Sequence, residues 1–231
     1  IEVMPPDVNA SLTDFTPNGD RILFGLSAVR NLGDGAIRQL IAARQADGAF
    51  RSLADLCDRI PSSVLNRRGL ESLIHCGALD ALDPAANRAQ LMADLELLLD
   101  WASSRAKDRD SGQGNLFDLM AAPADADGPA DLSLAPKAAP VPDYPPSEKL
   151  RLEKDLVGFY LSDHPLKQLT PSSRLLAPIG LGSLEEQPDK TKVSAITMIT
   201  ELRQVTTRKG DRMAILQLED LTGSCEAVGF P

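Results

Sequence analysis

The order of apolar and polar residues predicts a helical part and a β-rich part in this chain. Between residues 21 and 109, apolar residues recur at spacings of three and four, which is the period of helices with one buried face. From Lys192 onward, apolar and polar residues alternate more closely, which is typical of β-strands. The residues that carry the two patterns are Ile37, Leu40, Ile41, Leu53, Leu56, Leu70, Leu73, Ile74, Leu91, Leu95 and Leu98 for the helices, and Val193, Ile196, Met198, Ile199, Met213, Ile215, Leu216 and Leu218 for the strands.

The remaining segments have a different composition. Residues 110–146 are dominated by Ala, Pro, Asp and Gly, so they cannot bury enough apolar surface to offset the entropy of ordering them, and we expect a flexible linker. A connecting helix and loop over 147–191 is predicted to begin with Ser147 as its N-cap. Residues 1–20 are rich in turn formers and are expected to be extended. The predicted fold class is α + β in several domains, with a mostly helical domain, a flexible linker and a partial β domain over 192–231.

Composition excludes several classes of protein. Hydrophobic residues make up 43% of the chain, enough for a core, but no run of 18 apolar residues could span a membrane. Three cysteines without a CxxC spacing, and only two histidines, disfavour a disulfide framework and a zinc site, so we expect a reducing, cytoplasmic location. The net charge of −9 argues against coating DNA by bulk electrostatics, so any DNA contact is expected to be local. Because Ile1 is neither an initiator Met nor part of a signal peptide, we expect a segment of a longer protein.

The most informative short stretch lies between Gly25 and Arg38. A short helix is predicted to end near Arg30, and a second helix to begin at Gly35, with two glycines two positions apart in the turn. This is the spacing of a helix-hairpin-helix motif, in which glycines give backbone freedom and the amides of the second helix point at an anion such as a DNA phosphate. The candidate DNA-binding residues are Asn31, Leu32, Gly33, Asp34, Gly35, Ala36 and Arg38. A plain pair of helices with a glycine cap fits the same residues.

A second, degenerate copy of the motif follows over residues 60–74. It places Arg67 and Arg68 at the start of a predicted helix, where backbone amides also point outward. The two arginines are either further phosphate contacts or solvated surface charges, and the sequence alone supports both equally.

A docking peptide is predicted where the chain leaves the helical part. Leu116 and Phe117 are adjacent apolar residues in a segment with no core to bury them, and Gln113 precedes Phe117 by four positions. This spacing matches the pattern Q-x-x-[L/M]-F by which proteins bind the bacterial sliding clamp. The candidate clamp-binding residues are Gln113, Gly114, Asn115, Leu116 and Phe117. The alternative is that the Leu-Phe pair folds back on its own domain.

Taken in order, these features resemble the family of bacterial DNA polymerase III alpha subunits, the replicative C-family polymerases. The resemblance extends over nearly all of the chain apart from the Ala/Pro-rich linker. The stretches that carry it are Met4–Asn9, Ile22–Leu26, Arg67–Ile74, Gly77–Asp80, Glu153–Leu166 and Leu218–Gly223. The family usually has Gly at the position of Asp163, which puts one turn in doubt.

The resemblance implies a layout for the five segments. Residues 1–20 correspond to the end of the fingers region, 21–109 to a tandem helix-hairpin-helix domain that grips duplex DNA, and 110–146 to a linker carrying the clamp-binding motif. Residues 147–191 connect to an OB-fold, of which 192–231 are the N-terminal part. In the family this OB-fold lies near single-stranded template, which makes Arg208 and Lys209 candidate DNA contacts, although a solvated basic turn fits them equally.

The resemblance also implies partners and a division of labour. Expected partners are duplex DNA, the sliding clamp, single-stranded template at the OB-fold and other replicase subunits, with no membrane. Nucleotidyl transfer in the family needs paired carboxylates and Mg²⁺ in a palm domain, so we expect no catalytic residue, no metal site and no cofactor in this segment. The alternative is a free-standing helix-hairpin-helix adaptor in repair or recombination. An independent Ser/His/Asp hydrolase is disfavoured because no G-x-S-x-G occurs.

Overall fold

The computed structural model describes residues 2–82, 87–111, 132–167, 177–206 and 210–230. The chain forms two compact units, Ile1–Ser162 and Asp163–Pro231. The chain is therefore α + β, as the sequence predicts, and each unit has its own architecture.

The first unit begins with a three-stranded sheet. Its strands are β1 (Glu2–Met4), β2 (Thr16–Asn18) and β3 (Arg21–Leu23). The central strand β3 runs parallel to β1 and antiparallel to β2. The boundary predicted between residues 20 and 21 therefore passes through this sheet, because β3 pairs with strands on the other side of it.

In the residues that the structure describes, five α-helices follow in the first unit. They are α1 (Asp34–Asp47), α2 (Leu53–Arg59), α3 (Arg67–His75), α4 (Arg88–Ser111) and α5 (Pro146–Val157). Each of α1 to α4 buries apolar residues at the helical spacing seen in the sequence, such as Ile37 and Leu40 or Leu70 and Ile74. The buried faces form one core that also takes in Val8, Phe24 and Val157, so the sheet and α5 belong to the helical domain.

Helix α5 begins two residues earlier than the predicted N-cap at Ser147 implies. Pro145 is its N-cap and Pro146 its first residue, so Ser147 is not the cap. Proline is well suited to the first helical position because its fixed φ matches the helix and its missing N–H would have no partner there. The helix ends at Gly158, which has a left-handed φ of 93°.

The end of the predicted linker is docked on α4 rather than free. The backbone N–H of Ala138 donates to Asp94 Oδ1 at 2.7 Å, and the N–H of Val141 donates to Gln90 Oε1 at 2.9 Å. Asn87 Nδ2 donates to the Val141 carbonyl at 2.9 Å. Within the predicted linker, Ala138 and Val141 are therefore held through their backbone by polar side chains at the start of α4.

The second unit contains an antiparallel sheet of β4 (Met198–Thr206), β5 (Arg212–Glu219) and β6 (Ser224–Gly229). Strand β5 is central, and the register of β4 shifts between Ile199 and Glu201. The sheet is consistent with part of an OB-like fold. It begins at Met198, several residues after the predicted start at Lys192, since residues 192–197 pair with no strand in the described part of the chain.

A 3-10 segment, Leu181–Glu186, packs on the β5–β6 turn of this sheet. Asp220 Oδ2 accepts a hydrogen bond from the Leu181 N–H at 2.7 Å, and Asp220 Oδ1 accepts from Thr222 and Gly223. Burial acts to raise the pKa of the Asp220 carboxyl, but these hydrogen bonds outweigh it and hold the pKa below its usual value.

None of the helices in the described part of the chain combines the length and apolar composition that crossing a bilayer requires.

Candidate nucleic-acid interface

The first hairpin is a tight turn between a 3-10 segment, Leu26–Ala28, and helix α1. The residue with unusual backbone angles is Asn31, at φ 65°, and not a glycine. Gly33 is the N-cap of α1 with an ordinary extended conformation, φ −83° and ψ 153°. The expectation that Gly33 supplies a backbone angle closed to other residues is therefore wrong, since Asn tolerates the left-handed region and takes that role.

The two glycines instead leave the start of α1 open. A Cβ placed on Gly33 or on Gly35 would meet no described atom within 4 Å. The N-cap has no side-chain hydrogen bond to the helix, so the amides of the first turn are not covered by a capping group. A helix of 14 residues with an open first turn is favourable for an anion, because its unpaired N–H groups and its dipole both attract negative charge.

The side chains of the first hairpin divide between core and surface. Leu32 and Ala36 are buried in the hydrophobic core, so only their backbone could contact a ligand. Asp34 and Arg38 are exposed on α1, with Arg38 Nη2 4.0 Å from Asp34 Oδ2. The side chains are 79% solvent-accessible for Arg38 and 75% for Asp34, so their mutual attraction is weak and Arg38 is accessible.

The second hairpin connects α2 to α3 and has a different cap. Asn66 is the N-cap of α3, and its Oδ1 accepts a hydrogen bond from the Gly69 N–H at 3.0 Å. In α3 this cap therefore occupies a first-turn amide, whereas the first turn of α1 has no such side-chain cap. The sequence signal for it was an Asn directly before the paired arginines, which is a preferred N-cap residue.

The two hairpins pack against each other at Gly69. A Cβ on Gly69 would lie 2.9 Å from Leu65 Cδ1 and 3.6 Å from both the Asn31 carbonyl oxygen and Leu32 Cδ1. The two 3.6 Å distances are ordinary van der Waals contacts, so the first turn of α3 lies beside the tip of the first hairpin, and the only close approach that glycine avoids is with the end of the Leu65 side chain. In addition, Asn31 Nδ2 donates to the Ser72 hydroxyl at 3.1 Å. Sequence reasoning missed Ser72, because a serine within a helix carries no local signal for a contact 41 residues away.

The paired arginines differ in their surroundings. Arg67 Nε donates to Glu71 at 2.9 Å, and its Nη1 lies 3.7 Å from Glu96. The hydrogen bond to Glu71 is the main reason that the pKa of Arg67 is raised, with the charges of Glu96 and Glu71 adding to it. Arg68 is exposed and makes no ion pair with any residue that the structure describes. Arg68 is therefore the more available of the two for an external anion.

Two further arginines join elements of the first unit through polar contacts. Arg30 Nη1 donates to the Asp155 carbonyl at 2.8 Å, which joins the first hairpin to α5. Arg88 donates to both carboxylate oxygens of Asp80, at 3.0 and 2.8 Å, and lies 4.0 Å from the fully buried Glu153. Burial acts to lower the pKa of Arg88, but the hydrogen bond and charge of Asp80 outweigh it and raise the pKa.

The other predicted site residues lie outside the described residues. These are Arg208 and Lys209 in the second unit, and the peptide Gln113, Gly114, Asn115, Leu116 and Phe117. In the described residues no three His, Cys, Asp or Glu side chains come together as a possible metal-binding group.

Comparison with known proteins agrees with this geometry. A family model described as "Helix-hairpin-helix motif" matches residues 1–91. The match covers the first sheet, both hairpins and the start of α4, so the first unit contains a helix-hairpin-helix domain.

Curated relatives extend the similarity over the whole chain. The DNA polymerase III alpha subunits of Thermus aquaticus and Neisseria meningitidis serogroup B are 40% and 39% identical to it, over 100% and 98% of the chain and 18% of each relative. The alpha subunit of Escherichia coli K12 is 33% identical over 100% of the chain and 19% of its own length. The chain belongs to the family of DNA polymerase III alpha subunits, and it spans about a fifth of the length of these relatives.

Proposed function

We propose that this chain is a segment of a replicative DNA polymerase and binds duplex DNA through its two hairpins. The observation that carries the proposal is the packing of the first turn of α3 against the hairpin tip that leads into α1. The open amides at Gly33–Gly35 and the exposed Arg68, which has no ion pair within the described ranges, therefore belong to two elements that pack together. The similarity of the whole chain to DNA polymerase III alpha subunits supports DNA as the source of the anion.

Binding of this kind is independent of base sequence. Backbone amides and arginines contact phosphates, which are the same at every base pair. Each phosphate neutralised releases counterions, so affinity should fall as salt rises, with a log–log slope of roughly −0.9 per phosphate. The acidic net charge of −9 limits the contact to the hairpin surface.

The test is a salt titration of the unmutated chain with two duplexes of unrelated sequence. We expect equal affinities for the two duplexes and a slope that indicates a few phosphates. Base-specific binding, or binding that does not change with salt, would contradict the proposal. A repair or recombination adaptor predicts the same duplex binding, but similarity to the polymerase subunits over 97–100% of the chain favours the polymerase.

We also propose that residues 113–117 bind the sliding clamp. The support is the sequence pattern itself, in which Gln113 can hydrogen-bond in one pocket and Leu116 and Phe117 fill an apolar one. Titration against a bacterial sliding clamp should show weak binding, on the order of micromolar, as expected for a single short peptide.

The control for clamp binding is a matched pair of variants. Gln113→Ala with Phe117→Ala should abolish binding. Gln45→Ala with Phe230→Ala removes an exposed glutamine and a phenylalanine that is 76% exposed elsewhere, and should leave binding unchanged. No binding by the unmutated chain would contradict the clamp proposal and leave the DNA proposal standing.

Three further assignments complete the proposal. The second unit is proposed to contact single-stranded template, with Arg208 and Lys209 as candidate contacts, and other replicase subunits are proposed partners of the whole polymerase. Nucleotidyl transfer and its Mg²⁺ are proposed to belong to residues outside this chain. Primer extension by the chain alone in the presence of Mg²⁺ would overturn that last assignment.

A further inference from the structure

We infer that the hydrogen bond between Asn31 and Ser72 is a positioning contact that pre-organises the two hairpins as a single phosphate-binding surface. The inference rests on the proposed DNA binding and adds which residues set its geometry. Neither residue needs to touch DNA through its side chain for this role.

The contact joins the two hairpins where they meet. Asn31 lies in the tip of the first hairpin, two residues before the N-cap of α1, and Ser72 lies on α3, which the second hairpin leads into. Asn31 Nδ2 donates to Ser72 Oγ at 3.1 Å. Displacing this side chain would therefore change the orientation of the tip whose amides face an incoming phosphate.

The two partners differ in their surroundings. Ser72 is only 3% exposed and fixed within a helix, while Asn31 is exposed and held in the left-handed region at φ 65°. For a residue other than glycine the left-handed region is less favourable than the other allowed regions, so a contact is needed to hold it in an exposed turn. The buried hydroxyl thus selects one conformation of the tip, which lies beside the first turn of α3 at Gly69.

The effect on DNA affinity depends on the fraction of molecules whose hairpin tip is in the binding-competent conformation. If only a fraction of molecules holds the binding-competent tip, the apparent dissociation constant increases by the inverse of that fraction. A single hydrogen bond has a net value that corresponds to about a two- to tenfold change in such a population. Because the Asn31 amide can be solvated when the bond is lost, the cost to overall stability should be small.

The test is a double-mutant cycle on duplex binding by the full chain. Asn31→Gly keeps the left-handed backbone and removes the amide, and Ser72→Ala removes the hydroxyl. We expect each single variant to weaken duplex binding about two- to tenfold. The double variant should be no weaker than either single variant, because both remove the same contact.

Matched controls separate positioning from a general loss of structure. Lys190→Gly changes the other non-glycine residue with left-handed φ among the described residues, and it lies in the second unit. Ser104→Ala removes a hydroxyl that donates within its own helix, to the Asp100 carbonyl. Both controls should leave duplex affinity unchanged, and chemical denaturation should give similar unfolding free energies for all variants.

The outcomes are distinct for the inference and for the proposed function. Unmutated protein that fails to bind duplex DNA overturns the proposed function and the inference with it. Duplex binding that is unchanged in Asn31→Gly and Ser72→Ala, or losses that add up in the double variant, overturns the inference alone. Equal losses in both single variants and in the double variant, with no loss in either control, support it.

Discussion

The side chain of Gln90 on α4 accepts a hydrogen bond from the backbone N–H of Val141, with 2.9 Å between Gln90 Oε1 and Val141 N. The neighbouring side chain of Asn87 donates to the carbonyl of the same residue, so both backbone groups of Val141 are satisfied by side chains at the start of one helix. Asp94, one turn further along, accepts from the Ala138 N–H. The segment 135–144 is thus held by hydrogen bonds between its backbone and side chains at the start of α4. Its prolines do not prevent this, because the bonds use the backbone groups of Ala138 and Val141.

Replacing Gln90 by Ala should release this segment locally. The Val141 N–H loses its acceptor, so its hydrogen exchange should become faster by about the factor that one hydrogen bond contributes, roughly tenfold. Gln39→Ala, which removes an exposed glutamine of α1, is the control and should leave exchange at Val141 unchanged. Exchange at Val141 that is equal in all three proteins would contradict the docking of this segment.

The neighbouring arginines of the second hairpin should differ in their effect on duplex binding. Arg68 has no ion pair among the described residues, so Arg68→Ala should weaken binding at all sequences alike and make the salt slope less steep by about one. Arg67 is already paired with Glu71 and Glu96, so Arg67→Ala should have a smaller effect. Equal effects of the two variants would show that both arginines contact phosphate. A larger effect of Arg67→Ala would contradict the assignment.

Removing the negative charge of Asp34 should strengthen duplex binding. Asp34 lies in the first turn of α1, where its carboxylate repels a phosphate and attracts Arg38 from 4.0 Å. Asp34→Asn removes the repulsion and frees Arg38, so we expect a few-fold tighter binding at low salt and a smaller gain at high salt. Asp47→Asn, at the other end of the same helix, serves as control. Weaker binding by Asp34→Asn would mean that phosphate does not approach this turn.

Stability of the first unit should fall as the solution becomes mildly acidic. Burial lowers the pKa of His75 below its ordinary value of 6.5, and the charge of Arg88 lowers it further, against the raising effects of Glu71 and Glu148. Below pH 6.5 the unfolded chain therefore binds more protons at this residue than the folded chain, and stability is lost as pH falls until the folded pKa is passed. Above pH 6.5 this contribution is fully present.

Thermal unfolding measures this effect over a window of roughly one pH unit on either side of the ordinary histidine pKa. His75→Gln should flatten the dependence on pH, because glutamine does not titrate. The lowered pKa values of Asp143 and Asp220 act below their ordinary value of 3.8, so they do not contribute in this range. If His75→Gln keeps the full pH dependence of stability, another titrating group is responsible for it.

The sequence by itself determined the helical pattern, the hairpin and the family. Residues such as Ile37 and Leu40 lie on one helical face, and the Gly33–Gly35 spacing marks a turn before a helix start. Both are local properties that depend on residues a few positions apart. The alternation near Met213 and Ile215 similarly predicted strands, and the order of the short stretches along the chain was enough to indicate the polymerase family.

The tertiary structure alone decided which residues meet. The contact of Asn31 with Ser72, the pairing of Arg67 with Glu96, and the docking of Val141 on Gln90 all join residues far apart in sequence or on different elements. The sequence could not predict them because a side chain's partners depend on how helices pack. The left-handed Asn31 also took the role expected of a glycine, since the backbone angle is set by the turn and its contact with α3.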